Sequence, residues 1–229
     1  MTPLKLTWKL ASPIVVSAYP LHLDGLVGFA VTQEKHQADL SSVWVASADL
    51  DLPLELEVRG ELDCWKASVL LPTDPGEHSM RFWTRKSDPY DYAVRLEAGQ
   101  LDVKTKFPLK PYGIKFDTVR GTFKQMFKFF PVRSVSELSA WCIGDFDRLT
   151  ELMAPEAGFI TYLGSKTRMG FGRIVDFTIE VDSRANEKWS DRVLPWPEKG
   201  CVCVEAATKM PYWEPSNRGP AWINPNLYS

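Results

Sequence analysis

A short glycine-rich segment is the feature of this 229-residue sequence that most restricts its fold. Between two stretches of β-forming residues the chain runs Tyr162-Leu163-Gly164-Ser165-Lys166-Thr167-Arg168-Met169-Gly170-Phe171-Gly172-Arg173. Glycine reaches positive φ angles and leaves backbone N–H groups open, so we expect a tight loop between two strands. Three glycines and three cations in this loop favour a site for phosphate oxygens: Gly164, Gly170, Gly172, Lys166, Arg168 and Arg173.

The residue order of this loop differs from that of two common phosphate-binding motifs. Neither G-x4-G-K-[ST] nor G-x-G-x-x-G occurs in it. One alternative therefore stays open, in which the loop is a tight β-hairpin with a solvated basic tip.

The charge of the chain is unevenly distributed. Lys and Arg total 27 against 29 Asp and Glu, a net charge of −2, which argues against a surface that is basic throughout. Yet the 30 residues from Lys104 to Arg133 carry eight bases and one acid, a net +7, which leaves −9 on the other 199 residues. A near-neutral protein therefore contains one basic segment that suits a nucleic-acid partner.

Aromatic residues alternate with the bases of this segment, and single-stranded RNA is held by both kinds of side chain. The candidates for phosphate contact are Lys115, Arg120, Lys124, Lys128 and Arg133. The candidates for base stacking are Tyr112, Phe123, Phe127 and Phe130. Residues 121–130 are expected to be helical, with the lysines on one face and the phenylalanines on another. A buried helix face and a solvated basic face have the same spacing, so both alternatives stay open.

The remaining sequence predicts a mixed α and β fold. Strands are expected at 4–16, 54–59 and 173–182, and helices at 21–36 and 136–158. The tail at 186–229 is rich in Trp and Pro. It is expected to be irregular but packed, because so many exposed tryptophans would form a large apolar patch.

Composition indicates an ordered globular protein, with 45% hydrophobic and 24% charged residues. The four cysteines suit neither a disulfide framework nor a zinc knuckle, and there are only three histidines. We therefore expect no metal and no other cofactor. No run approaches the roughly 18 apolar residues of a membrane span, and no cleavage site is evident, so a cytoplasmic protein without a membrane partner is expected.

Two motifs carry a resemblance to a known family. The string G-S-K-T-R-M-G-F-G-R before a strand resembles the glycine-rich loop of the CRISPR-associated RAMP proteins. Near the N-terminus, S-P-I-V-V and then P-L-H-L-D-G-L, residues 20–26, open the first helix. Together they are similar to the type IV effector-complex subunit that is the counterpart of the fifth Cas family and caps the crRNA 5′ handle. The motifs lie at 4–26 and 162–181, near opposite ends of the core.

This resemblance implies an α+β fold of the ferredoxin-like, RNA-recognition type, with an antiparallel sheet and the glycine-rich loop before the last core strand. It implies the frame of one whole domain, which we expect to span 1–229 with its core at about 1–72 and 137–182. The irregular basic insertion at about 80–133 and the tail at 186–229 are expected from the sequence and match nothing in that family. The implied partners are the 5′ handle of a crRNA, a filament of backbone subunits, a large subunit and, at the level of the complex, target DNA.

An enzymatic alternative starts from histidine. RAMP endoribonucleases cut RNA without metal, using a general base, a general acid and a cation. His22 and Tyr19, with a lysine of the basic segment, have the chemistry for these roles. The following L-D-G-L instead favours Asp24 as an acid of the first helical turn and His22 as a structural residue. The resemblance implies that cleavage belongs to another subunit, so this protein is expected to bind RNA and not to cut it.

A third hypothesis needs no nucleic acid. In it the chain is an interaction protein whose basic segment binds an acidic protein partner. The three hypotheses differ in whether the protein binds RNA, cuts RNA or does neither.

Overall fold

The chain divides into two compact units. The structure, a computed structural model, describes residues 1–15, 20–38, 50–86, 88–100, 119–120 and 124–227. One unit consists of Met1–Ser79 and Val132–Ser229, and the other is Met80–Pro131. The prediction of a single domain over 1–229 stays a prediction.

The strands are β1 (Thr2–Leu10), β2 (Ile14–Val15), β3 (Leu56–Arg59), β4 (Leu62–Trp65), β5 (Leu71–Pro72), β6 (Glu77–Arg85), β7 (Met126–Ser134), β8 (Glu137–Gly144), β9 (Ile174–Val181), β10 (Val202–Ala207) and β11 (Arg218–Ile223). The helices are α1 (Leu23–Ala38), α2 (Pro89–Glu97), α3 (Phe146–Met153) and α4 (Ala185–Lys188). Short 3-10 turns lie at Pro155–Ala157, Thr167–Met169, Pro215–Asn217 and Pro225–Leu227.

The larger unit is built on a four-stranded sheet with the order β5-β8-β1-β9. Each neighbouring pair in it is antiparallel. Along the chain, α1 follows β1, and α3 lies between β8 and β9. The predicted α+β class with an antiparallel sheet is therefore confirmed.

One face of this sheet forms the main core because β1 alternates along its length. Leu4, Leu6 and Trp8 are fully buried, while the side chains between them point to the opposite face. The buried three belong to one hydrophobic cluster with Val27 of α1 and Leu149 of α3. The predicted helix at 21–36 is confirmed as α1, which begins at Leu23.

The tail packs on the other face of the sheet. Trp141 of β8 forms a second hydrophobic cluster with Trp189 and Trp196. The expectation of a packed tail is right for these two tryptophans but wrong for Trp213, which is 77% exposed. The tail is also not irregular throughout, because β10 and β11 form a two-stranded sheet with the branched Val202 in its first register pair.

The expected helix at 136–158 is wrong in its first half, which forms β8. Every residue of β8 after Glu137 is buried, so the strand lacks the polar alternation that identifies a half-exposed strand. The helical half is α3, whose N-terminus is capped where the Asp145 carboxylate accepts a hydrogen bond from the Arg148 N–H at 3.0 Å.

The expected helix at 121–130 is also wrong over its described residues, 124–130, and the described part of the basic insertion at 80–133 is not irregular throughout. This described part contains residues 80–85 of β6, the helix α2 and residues 126–133 of β7. Consecutive side chains of a strand point to opposite faces, so Phe127 and Phe129 share a face of β7 and Lys128 lies on the other. Dense aromatic residues favour a strand here over a helix.

A buried ion pair ties the tail to the first helix. Arg192 and Asp24 have fully buried side chains, and the guanidinium lies 3.2 Å from Asp24 Oδ2. Tyr212 donates its hydroxyl hydrogen to the same carboxylate at 2.7 Å. The guanidinium also donates to the backbone carbonyls of Trp65, Ala67, Val193 and Thr208.

We expect loss of one partner of this pair to be costly. Asp24→Asn leaves the Arg192 charge buried without a counter-charge, so the free energy of unfolding should fall by about 3–5 kcal/mol in urea denaturation. Asp176→Asn is the matched control, because it removes a half-exposed pair with Lys9 and should cost less than about 1 kcal/mol. Equal effects of the two variants would contradict the prediction.

Candidate nucleic-acid interface

The glycine-rich loop is a hairpin closed by an antiparallel bridge between Tyr162 and Arg173. Its tip contains the 3-10 turn Thr167–Met169. The loop glycines all have positive φ, and so does Lys166 at 61°, which is the single non-glycine residue with positive φ in the described part of the chain. Residues other than glycine rarely adopt this left-handed backbone conformation unless packing or function requires it.

Gly172 is required by sterics as well as by its φ of 71°. A Cβ atom there would overlap the backbone carbonyl of Leu163 across the hairpin. Gly170 has a similar φ of 84°, but a Cβ there would meet no atom within 4 Å. Gly172 is therefore required by close packing and by its backbone conformation, whereas Gly170 is required by its backbone conformation alone.

The loop is fastened to the link between β1 and β2. The Ser12 hydroxyl donates to the Gly170 carbonyl at 2.7 Å and accepts from the Arg173 N–H at 2.9 Å. The Gly172 N–H donates to the Pro13 carbonyl at 2.9 Å. The S-P-I-V-V motif and the glycine motif, far apart in sequence, are thus in direct contact.

The same link connects the loop to the basic segment. Val15 of β2 forms a bridge with Ser165 in the loop and pairs with Val132 of β7. Ile14 pairs with Arg133. Loop, β2 and the end of β7 therefore form one continuous strip in the larger unit, and Arg133 is the candidate residue of the basic segment that lies on it.

The cations of the loop are available to a ligand. Lys166, Arg168 and Arg173 are exposed, and none of them forms an ion pair with another described residue. Arg133 is half-buried and donates its Nε hydrogen to the Pro75 carbonyl at 2.9 Å. Several other exposed cations of the larger unit, such as Lys9, are instead paired with a carboxylate. The strip thus concentrates unpaired positive charge, which attracts phosphate.

The second face of the sheet is poorly suited to bases. Trp141 is the one aromatic residue that β1, β8 and β9 place there, and it is buried under the tail. Ile143 of β8 lies in the same buried cluster as Trp141, Lys5 is bound to Glu180, and the Thr7 and Ser139 hydroxyls are 3.0 Å apart. This face therefore offers no exposed ring on which a base could stack.

The structure divides the predicted RNA contacts between the two units. Arg133 and the six loop residues lie in the larger unit, whereas Arg120, Lys124, Phe127 and Lys128 lie in the smaller one. Four of the predicted residues lie outside the described part of the chain: Tyr112, Lys115, Phe123 and the alternative catalytic residue Tyr19.

Phe127 belongs to an exposed cluster with two phenylalanines that the sequence analysis missed. The ring centroids of Phe127 and Phe129 are 4.9 Å apart, and Phe82 of β6 lies 5.8 Å from Phe127. A period of two along β7 was the available signal for Phe129. Phe82 lies 45 residues away from Phe127 in the chain, so no local pattern pointed to it.

His22 lies in the core and not on a surface. Its side chain is 4% exposed, its ring stacks on Tyr212 at 4.3 Å, and its Nδ1 has no hydrogen-bond partner among the described residues. Burial, with the nearby Arg192 charge, holds the pKa of His22 well below its ordinary value. The packed position agrees with a structural residue at the entry to α1.

The described residues hold neither a metal-binding cluster nor a membrane-spanning helix. No group of His, Cys, Asp and Glu side chains in them is arranged to hold a metal ion. None of their helices is long and apolar enough to span a membrane.

The fold and this strip belong to a component of a CRISPR system. The family described as CRISPR type IV associated protein Csf3 matches the chain over residues 2–224. Because the match covers nearly the whole sequence, the chain belongs to the Csf3 family, and the predicted link to type IV CRISPR systems is confirmed. No curated protein matches the sequence. Family membership implies association with other components of type IV complexes.

The two loop glycines predict different costs of substitution. Gly172→Ala should lower the free energy of unfolding by at least about 2 kcal/mol, because the new Cβ meets backbone and the residue keeps a positive φ. Gly170→Ala should cost only about 1 kcal/mol, from its φ alone. Thermal and urea denaturation measure both. Equal losses of stability in the two variants would contradict this prediction, because they would mean that the Leu163 backbone moves away from the new Cβ without cost.

Burial of neutral His22 predicts a loss of stability in acid. The folded pKa lies below the ordinary value of 6.5, so the unfolded chain binds more protons as the pH falls from 7 to 5. The free energy of unfolding should then fall more steeply for the natural protein than for His22→Phe, by up to about 1.4 kcal/mol per pH unit. The phenyl ring keeps the stacking on Tyr212. Parallel pH profiles would contradict the prediction.

Proposed function

We propose that this protein is a non-catalytic crRNA-binding subunit of a type IV CRISPR ribonucleoprotein complex, and that the strip of glycine loop, β2 and the end of β7 holds phosphates of the crRNA 5′ handle. The observation that carries the proposal is the set of three exposed cations that form no ion pair with another described residue, on a loop fixed in position by Ser12 and Pro13. A fixed loop binds phosphate with a smaller loss of conformational freedom than a mobile one.

The left-handed Lys166 supports a ligand at this loop. The conformation costs about 1 kcal/mol relative to an ordinary backbone, and the Lys166 side chain is exposed. Such conformations concentrate at binding sites, where a side chain must be held in one direction. We take Lys166, Arg168 and Arg173 as the phosphate contacts, with Arg133 beside them.

The topology supports a RAMP assignment. The succession β1, α1, β5, β8, α3 and β9, with the order β5-β8-β1-β9, is the arrangement of a ferredoxin-like fold. In it the glycine-rich loop precedes β9, the last strand of the sheet. The expected partners of the complex are a filament of backbone subunits and a large subunit, with target DNA bound by the whole assembly.

The direct experiment is recovery of RNA with the protein. When the protein is produced with its CRISPR array and purified, RNA of uniform length should copurify, and its sequenced 5′ end should be the repeat-derived handle. Repeat RNA incubated with the protein without divalent metal should stay intact. Cleavage would favour an endoribonuclease instead, and failure to bind RNA at low salt would favour a protein that binds no nucleic acid.

Substitution of Lys166 separates binding from folding. Lys166→Gly removes the charge and relieves the left-handed backbone, so stability should be unchanged within about 1 kcal/mol. Affinity for the handle should fall at moderate salt, and the slope of log K against log salt should decrease by about 0.7, the value for one phosphate contact with a single strand. Arg168→Ala should behave in the same way. Fluorescence anisotropy across a salt series measures both quantities.

Lys199→Ala is the matched control, because Lys199 is an exposed lysine of the tail that forms no ion pair within the described chain. Its loss should change neither the affinity nor the salt slope. If all three variants bind the handle like the natural protein, the loop is not a phosphate site.

A further inference from the structure

The smaller unit, Met80–Pro131, presents an aromatic surface that the glycine loop does not explain. Phe82, Phe127 and Phe129 are 65%, 61% and 59% exposed, yet they touch one another. Centroid separations are 5.8 Å for Phe82 and Phe127, 6.3 Å for Phe82 and Phe129, and 4.9 Å for Phe127 and Phe129. Met80 lies two residues before Phe82 and is also exposed. We call these four residues the aromatic patch.

The patch lies on one face of neighbouring strands. Side chains two residues apart on a strand lie on the same face. Met80 and Phe82 therefore share a face of β6, and Phe127 and Phe129 share a face of β7. β6 and β7 are adjacent in their sheet. A contiguous group of exposed apolar side chains on a small folded unit marks a surface that meets a partner.

The charge of these strands identifies the kind of partner. Residues 80–86 and 124–131 include five cations and no acid: Arg81, Arg85, Lys86, Lys124 and Lys128. Neighbouring strands are about 5 Å apart, so cations on either face lie within about one Debye length of a ligand on the patch. An apolar protein surface would match the rings but not the charge. A single strand of nucleic acid matches both, because it offers flat unpaired bases and a negative backbone.

The ring geometry also suits stacking. Phe127 and Phe129 are perpendicular, and Phe82 is tilted by 32° to Phe127. The rings contact one another, yet each of the three residues stays more than half exposed. Rings already ordered lose little freedom when a base stacks on them.

We propose that the aromatic patch is a stacking site for unpaired bases of the bound RNA strand. The proposal rests on the proposed function and adds to it a contact that does not depend on the glycine loop. Stacking is sequence-tolerant, because every base has a π-face. Stacking on the rings is also uncharged, so removing the rings should lower affinity without changing its salt dependence, which comes from the cations of the loop and of β6 and β7.

The test uses the full chain and a fixed unstructured RNA that carries the handle. In one variant Phe82, Phe127 and Phe129 are all replaced by Leu, which keeps an apolar side chain and removes the ring. Affinity should fall about tenfold or more, and the slope of log K against log salt should stay unchanged. Circular dichroism and the melting temperature should match the natural protein, because the rings are exposed.

Trp213→Leu is the matched control, since Trp213 is a strongly exposed aromatic residue outside the patch. It should bind RNA like the natural protein. The RNA supplies a second arm: an abasic nucleotide moved along the strand should weaken binding to the natural protein at the stacked positions. At those positions it should cause no further loss in the triple Leu variant.

The outcomes separate this proposal from the proposed function. If the triple Leu variant binds like the natural protein while Lys166→Gly binds more weakly, the stacking site is wrong and the loop site stands. Failure of that variant to join the other subunits would then identify the patch as a protein contact. A steep decrease in salt slope in the triple Leu variant would also overturn the proposal. Absence of RNA binding by the natural protein overturns both.

Discussion

The buried pair of Arg192 and Asp24 is the interaction on which the larger unit depends. A guanidinium and a carboxylate taken out of water are costly unless their remaining hydrogen bonds are made. Here the arginine reaches the carboxylate, the Tyr212 hydroxyl and backbone carbonyls from separate parts of the chain. Each of these groups has to be in place for the pair to be stable. One charge pair therefore fixes the start of α1, the segment after β4 and the tail together.

That arrangement explains why the candidate RNA site is at the loop. The tail, held by Arg192, covers Trp141 and Ile143 on the second face of the sheet, and Lys5 and Lys9 of β1 form ion pairs there with acids of β9. The unpaired cations lie instead on the loop, whose position comes from Ser12 and Pro13. A chain with a net charge near zero can thus present one positive strip to phosphate, because acids such as Glu180 and Asp176 form ion pairs with lysines elsewhere.

Local patterns predicted the parts of the fold that have one buried face. Alternation in β1, helical spacing in α1 and the glycines before β9 each leave a signal within about ten residues. β8 left none, because it is buried on both faces, and the spacing of the lysines and phenylalanines around β7 resembled two faces of a helix. The loop cations were predicted as candidates, but the contact between Phe82 and Phe127 and the pairing of Asp24 with Arg192 were not. Those residues are far apart in sequence and meet only through tertiary structure.

The separation of 168 residues between Asp24 and Arg192 has a consequence for synthesis. The N-terminal strand and α1 leave the ribosome long before the residue that neutralises Asp24 is made. Until then this carboxylate has to stay in water, and α1 cannot settle into its final place. The larger unit therefore completes its folding only after nearly the whole chain has been translated, so a shortened product would carry a loosely attached first helix.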